Sequence, residues 1–135
     1  MAKLLLAEDN LDDLKLMLRA FRRPRGWEVR LAHDGAEVLD ILMHPTVLWR
    51  PNLIILNLNL PKLDGHDVLR TIKKRPELAP IPVVVWSVSC SESDIDLSYQ
   101  LGAAAYFSKP VDSQDLLAQA RTIRAFFEQS RLYEP

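Results

Sequence analysis

Five short apolar runs, each ended by a polar or helix-starting residue, set the rhythm of this chain: Lys3–Ala7, Trp27–Ala32, Leu53–Leu56, Val83–Trp86 and Ala104–Ser108. The third, LIIL, has no polar alternation, as a strand buried on both faces of a parallel sheet reads. It stops at Asn57, and Pro61 and Gly65 break the following stretch into a loop. Helical spacing fills the intervals. Leu11, Leu14, Leu18 and Phe21 predict one helix face, with Asp12 and Asp13 in the first turn, where the helix dipole favours acids. Arg22, Arg23 and Arg25 lie near its far end, and Pro24 and Gly26 close it. Asp34 and Glu37 form a capping box for a second helix through Val38, Leu39, Ile41 and Leu42. A third helix follows Gly65, with Val68, Leu69 and Ile72 inward and Arg70, Lys73, Lys74 and Arg75 on a solvated face. Ser91 to Asp94 opens a fourth, reaching about Leu101–Gly102. Asp112 and Ser113 cap a fifth from about 114 to 129, with Leu116, Ala120, Ile123 and Phe127 on one side. Strand and helix alternate five times, which predicts a doubly wound α/β fold with a parallel sheet.

The length of 135 residues predicts one domain over 1–135, with a short apolar tail from about residue 130. Seventeen basic against 18 acidic residues leave a formal charge of −1, which is no electrostatic footprint for nucleic acid. No apolar run approaches a membrane span, and Glu8–Asp9 cuts the first run too early for a signal peptide. The single cysteine, Cys90, excludes an internal disulfide and fits a reducing cytoplasm. A cytoplasmic protein is expected.

In an open α/β sheet, chemistry gathers at the carboxyl edge of the strands. Here the first strand ends in Glu8 and Asp9, the third in Asn57, the fourth in Ser87 and the fifth in Lys109. Hard oxygen ligands suit a divalent cation such as Mg2+, and a lysine and a hydroxyl suit phosphoryl oxygens. Taken singly, each residue has a plainer reading. Glu8–Asp9 can be a solvated strand end and helix cap, Lys109 a surface lysine, Ser87 a turn residue, and Tyr106 simple packing. Their recurrence at matching strand ends favours a site. Cys90 reads as inert. His33, His44 and His66 show no ligand spacing and read as surface residues.

With those residues in place, the chain resembles the receiver domains of two-component response regulators. The resemblance rests on LLLAEDN at 4–10, LIILNLNLPKLDGHDVL at 53–69, PVVVWS at 82–87 and GAAAYFSKP at 102–110. It implies a flavodoxin-like, CheY-like fold with strand order 2-1-3-4-5 and five helices, and a cis peptide between Lys109 and Pro110. It implies an acidic magnesium site at Glu8 and Asp9, shared with Asn57 and completed by the backbone carbonyl of Asn59. Ser87 matches the hydroxyl that swings toward a phosphoryl group, and Tyr106 the aromatic that turns inward with it.

The resemblance fails at one position. Receivers carry an aspartate where this chain has Asn57, and that carboxylate accepts the phosphoryl group from a sensor histidine kinase. An amide is a far weaker nucleophile, so phosphorylation is not expected and magnesium affinity should fall. Two explanations stand open: a natural pseudo-receiver that signals by binding alone, or an engineered block in an ordinary phosphoacceptor. A small α/β enzyme of phosphatase type is a rival, but no nucleophile with a base is evident, nor any P-loop or GxGxxG pattern. The leading expectation is a non-enzymatic, stand-alone receiver acting through protein contact. The apolar tail is similar to that of small phytochrome-associated response regulators, which pair through the fourth helix, fifth strand and fifth helix. That implies a phytochrome-like kinase partner and a homodimer with Phe126, Phe127, Leu132 and Tyr133 at its interface. The plainer alternative is that Phe126 and Leu132 fold back on their own domain.

Overall fold

The apolar runs associate into a single parallel sheet in the computed structural model, which describes residues 1–22 and 25–135. In chain order the elements are β1 (Lys3–Ala7), α1 (Leu11–Arg22), β2 (Glu28–Ala32), α2 (Gly35–Leu42), β3 (Leu53–Leu56), α3 (Gly65–Lys74), β4 (Val83–Ser87), α4 (Glu92–Gln100), β5 (Ala105–Ser108) and α5 (Ser113–Gln129). The strands lie in the order β2-β1-β3-β4-β5, the expected flavodoxin-like arrangement. Register is set by pairs such as Leu5 with Arg30 and Ile54, Ile55 with Val84, and Ser87 with Ser108.

Because successive strand side chains point to opposite faces, β1, β3 and β4 feed two separate cores. Leu5, Ile54, Leu56, Val83 and Val85 pack with Val38 and Leu42 of α2 and Val68, Leu69 and Ile72 of α3. Leu4, Leu6, Leu53, Ile55, Val84 and Trp86 pack with Leu14, Met17 and Phe21 of α1 and Leu116, Ala120, Ile123 and Phe127 of α5. Every residue of β3 and β4 is buried, which is why their sequences lack alternation.

The caps behave largely as their side chains predict. Asp34 Oδ1 accepts from Glu37 N at 2.8 Å, and Glu37 Oε2 reaches back to His33 N at 3.1 Å. The Glu37 backbone N–H, and after it Lys62, hold the Asp34 carboxyl below its ordinary pKa. Asp112 accepts from Gln114 N and Asp115 N at the start of α5. Gly65 is required for another reason: a Cβ there would lie 2.5 Å from Leu58 Cα, so only glycine lets α3 begin against the end of β3.

Four expectations are corrected. The buried face of α1 is Leu14, Met17, Ala20 and Phe21. Leu11, the helix's first residue, is 65% exposed. Lys73 is not on a solvated face: its Nζ donates to Ala79 O at 2.7 Å and Ile81 O at 2.8 Å, closing the turn before β4. Burial lowers its pKa. His66 is not a surface residue either; its side chain is 12% exposed, with Nε2 3.0 Å from Ser98 Oγ on α4. Phe127 belongs to its own domain's core rather than to an outer face. The expected roles of Arg23 and Pro24 fall outside the described residues.

Beyond α5, Leu132 packs on one core and Tyr133 on the other. Asn52 ties this tail to the amino edge of the sheet: Oδ1 accepts from Lys3 N at 2.8 Å, and Nδ2 donates to Tyr133 O at 2.9 Å. The buried Arg124 joins α5 to the end of α1, donating to Ala20 O at 2.8 Å, Arg25 O at 2.5 Å and Glu128 Oε2 at 3.0 Å. Arg124→Ala removes the donor to the buried Ala20 carbonyl and to Arg25 O, and urea denaturation is expected to show a loss of about 2–4 kcal/mol.

Candidate functional site

Two ladder hydrogen bonds carry the sheet one residue past its strands. Glu8 N donates to Ala32 O and Asn57 N to Ala7 O, both at 3.0 Å. Glu8 and Asn57 therefore stand side by side on the carboxyl rim in strand geometry. Glu8 is 0% exposed, and a carboxylate in that position must have its acceptor sites filled. They are. Oε2 accepts from Asp9 N at 3.0 Å, Asn10 N at 3.1 Å and Asn57 Nδ2 at 2.9 Å, and Oε1 accepts from Lys109 Nζ at 2.5 Å.

The orientation of Asn57 follows from its neighbours. Asn59 N, a donor, lies 3.1 Å from Asn57 Oδ1. The amide nitrogen is thus turned to the carboxylate, the only arrangement that satisfies both sides. Lys109 is the second pivot. Its backbone N donates to Ser87 O at 2.7 Å, which aligns the end of β5 with the end of β4. Its ammonium contacts Glu8 and, at 2.8 Å, Asp13 Oδ2 in the first turn of α1. It also lies 4.4 Å from the centre of the buried Trp86 ring, a cation–π contact. The Lys109 side chain is 4% exposed.

Ser87 is fully buried, and its Oγ accepts from Ser89 N at 3.2 Å. Ser89 is the hub of the β4–α4 loop. Its Oγ donates to Asp94 Oδ2 at 2.6 Å, and its carbonyl accepts from Tyr106 Oη at 2.9 Å and Ser108 Oγ at 3.1 Å. Tyr106 is thereby turned toward the loop, while its backbone N donates to Tyr99 Oη at 3.1 Å.

Of the residues read from the sequence, Glu8, Asn57 and Lys109 are in direct contact. Ser87 joins them through its backbone, Asn59 through Asn57, and Tyr106 through Ser89. Asp9 and Asn59 are exposed at the mouth. Among the described residues, no group of three or more His, Cys, Asp or Glu side chains is placed to hold a metal ion. Asp13, Trp86, Ser89, Asp94 and Ser108 were missed as site residues. Asp13 looked like an ordinary first-turn acid, since its partner lies 96 positions away. Ser108 had a signal, because parallel register places it opposite Ser87. Of the tail residues, Phe126 is 63% exposed, Phe127 is buried, and Leu132 and Tyr133 are half-buried.

The model for the response regulator receiver domain matches residues 4–121. Response regulator Rcp1 of Synechocystis is 36% identical over 128 residues, covering 92% of this chain and 87% of that protein. The crystal structure of its Mn(2+)-bound form superposes with a TM-score of 0.95, covering 99% of this chain and 100% of the other, at 34% identity. The phosphorylated cyanobacterial phytochrome response regulator RcpA gives 0.94 at 37% identity, covering 98% of this chain and 99% of that one.

Removing the ammonium leaves two carboxylates facing each other without a counter-charge. Breaking a buried pair from one side costs about 3–5 kcal/mol. Lys109→Met is expected to lower the denaturation midpoint accordingly, and the loss of its contact with Trp86 is expected to change the tryptophan emission of the folded protein.

Proposed function

The chain belongs to the response regulator receiver family of two-component signalling, and from that premise we propose that it is a receiver whose output is protein contact and whose site takes up no phosphoryl group. The observation that carries this reading is Asn57. Its nitrogen is engaged by Glu8 and its oxygen by Asn59 N, and an amide neither attacks as a carboxylate does nor is activated here by a base. The enzymatic rival finds little support: the Ser87 hydroxyl is buried and engaged, and Glu8 and Lys109 are paired with each other. Reading Asn57 as native makes this a binding-only module.

The donor set fits a divalent cation poorly. A Mg2+ ion here would have the exposed Asp9 carboxylate and the neutral oxygens of Asn57 and Asn59, since Glu8 already accepts four hydrogen bonds. Hard cations are held by one or two free carboxylates, and Asp9 alone supplies the minimum, so magnesium is held weakly. The kinase partner is a sensor histidine kinase, phytochrome-like on the strength of the relative described as a phytochrome response regulator. Among the described residues no helix is long and apolar enough to cross a membrane; the cytoplasmic setting is proposed from the lone cysteine, which fits a reducing compartment. Charge balance and the absence of a basic run in the sequence argue against a nucleic-acid partner.

Incubation with acetyl phosphate and magnesium, followed by intact mass, is expected to leave the protein unmodified, whereas Asn57→Asp gains one phosphoryl mass. A phosphoryl adduct on the unaltered chain that disappears in Asn57→Ala would refute the reading. The face of α4, β5 and α5 is also the proposed homodimer surface, with exposed Phe126 and Tyr99 as its apolar anchors. Sedimentation at high micromolar concentration is expected to show a dimer that Phe126→Asp dissociates; a monomer throughout rejects this surface.

A further inference from the structure

We infer that the Asn57 amide replaces, by its own N–H, the positive group that a two-carboxylate site would require, and so holds the strand-end rim in one state indifferent to magnesium. This rests on the reading of Asn57 as a residue that accepts no phosphoryl group, and extends it to regulation of the same site.

The argument starts from charge. The charged groups are the buried Glu8 and the partly buried Asp13, both acidic, and Lys109, whose ammonium contacts both of them. One negative charge is in excess, and backbone N–H groups of Asp9 and Asn10 disperse it. A carboxylate at position 57 would set a second charge about 3 Å from Glu8 Oε2, and like charges so close do not both ionise without a cation or a proton between them. The amide avoids that conflict. It presents a hydrogen to the same oxygen at 2.9 Å and brings no charge of its own. Among the described residues, no buried side-chain nitrogen or oxygen is without a hydrogen-bond partner, so the amide completes a balance rather than leaving one open.

The same bond links the rim loops. Asn57 Oδ1 fixes Asn59 N in the loop after β3, Glu8 fixes the turn after β1, and Lys109 carries the connection to Ser87 O at the end of β4. From Ser87 the chain of bonds continues through Ser89 to Tyr106. A cation reaching Glu8 would have to displace Asn57 Nδ2 or Lys109 Nζ. The loops that shape the β4–β5 side are therefore set by covalent sequence, not by an ion.

The test compares thermal midpoint and tryptophan emission in millimolar MgCl2 and in EDTA, using Trp86 against Lys109 as the reporter. The unaltered protein is expected to show no shift in either. Asn57→Asp is expected to become magnesium-responsive, with a saturable rise in Tm of about 5 °C. The double variant Glu8→Gln/Asn57→Asp restores the buried charge total and is expected to lose that response. A saturable magnesium effect on the unaltered protein as large as that on Asn57→Asp overturns the inference, and so does an Asn57→Asp protein that folds and ignores magnesium. Should Asn57→Asp fail to fold, the unaltered protein and the double variant decide, and a magnesium-responsive double variant overturns it. Such a magnesium shift on the unaltered protein without any phosphoryl adduct sinks this inference alone, whereas an adduct on Asn57 sinks the reading beneath it.

Discussion

The buried ion pair between Glu8 and Lys109 is the constraint on which the rim depends. A buried pair is not stabilising by itself, because removing both ions from water offsets most of their attraction. It is tolerable only where the remaining lone pairs and protons also find partners. That requirement explains the geometry around it: the turn after β1 aims two backbone N–H groups at Glu8, Asn57 supplies a third, and α1 begins where Asp13 meets the other side of the ammonium. In the sheet β5 lies three strands from β1, a separation of about 14 Å at the usual strand spacing. Long side chains from both ends are needed to close it, and a glutamate and a lysine are what the chain provides.

The fold was legible because its signals are local. Apolar runs of four and five residues, caps such as Asp34 and Asp112, and helical spacing in α5 each reflect burial or backbone hydrogen bonding within a few residues. Where burial depends on contacts with another segment, the reading slipped. Leu11 has helical spacing but is exposed at the start of α1, and Lys73 looks solvated until the turn at 75–82 folds over its ammonium. His66 turned inward for the same reason, since Ser98 lies on a different helix.

The site was legible in part. Residues at strand ends could be assigned to one rim because parallel strands all end on the same side, and Glu8, Asn57 and Lys109 do meet there. The partners that complete them could not be read that way. Asp13 and Ser89 act through contacts between segments far apart in sequence or through a loop conformation, neither of which leaves a pattern. The tail shows the same division: its apolar bulk was plain, but only packing separates Phe126, which faces outward, from Phe127, Leu132 and Tyr133, which turn back on the domain.

A ligand shifts a conformational equilibrium only by the difference in its affinity for the two states. A rim with an unbalanced charge provides such a difference, because a cation or phosphoryl group relieves in one state what the other leaves strained. Here each principal group already has its counterpart: Glu8 has the amide and the ammonium, Ser87 Oγ has Ser89 N, and Tyr106 Oη has the Ser89 carbonyl. On the proposed reading that Asn57 takes up no phosphoryl group, the leverage for switching moves from the pocket to the surfaces beside it. Whatever binds the α4–β5–α5 face meets loops already held by this network, so its affinity carries little of the cost of ordering them.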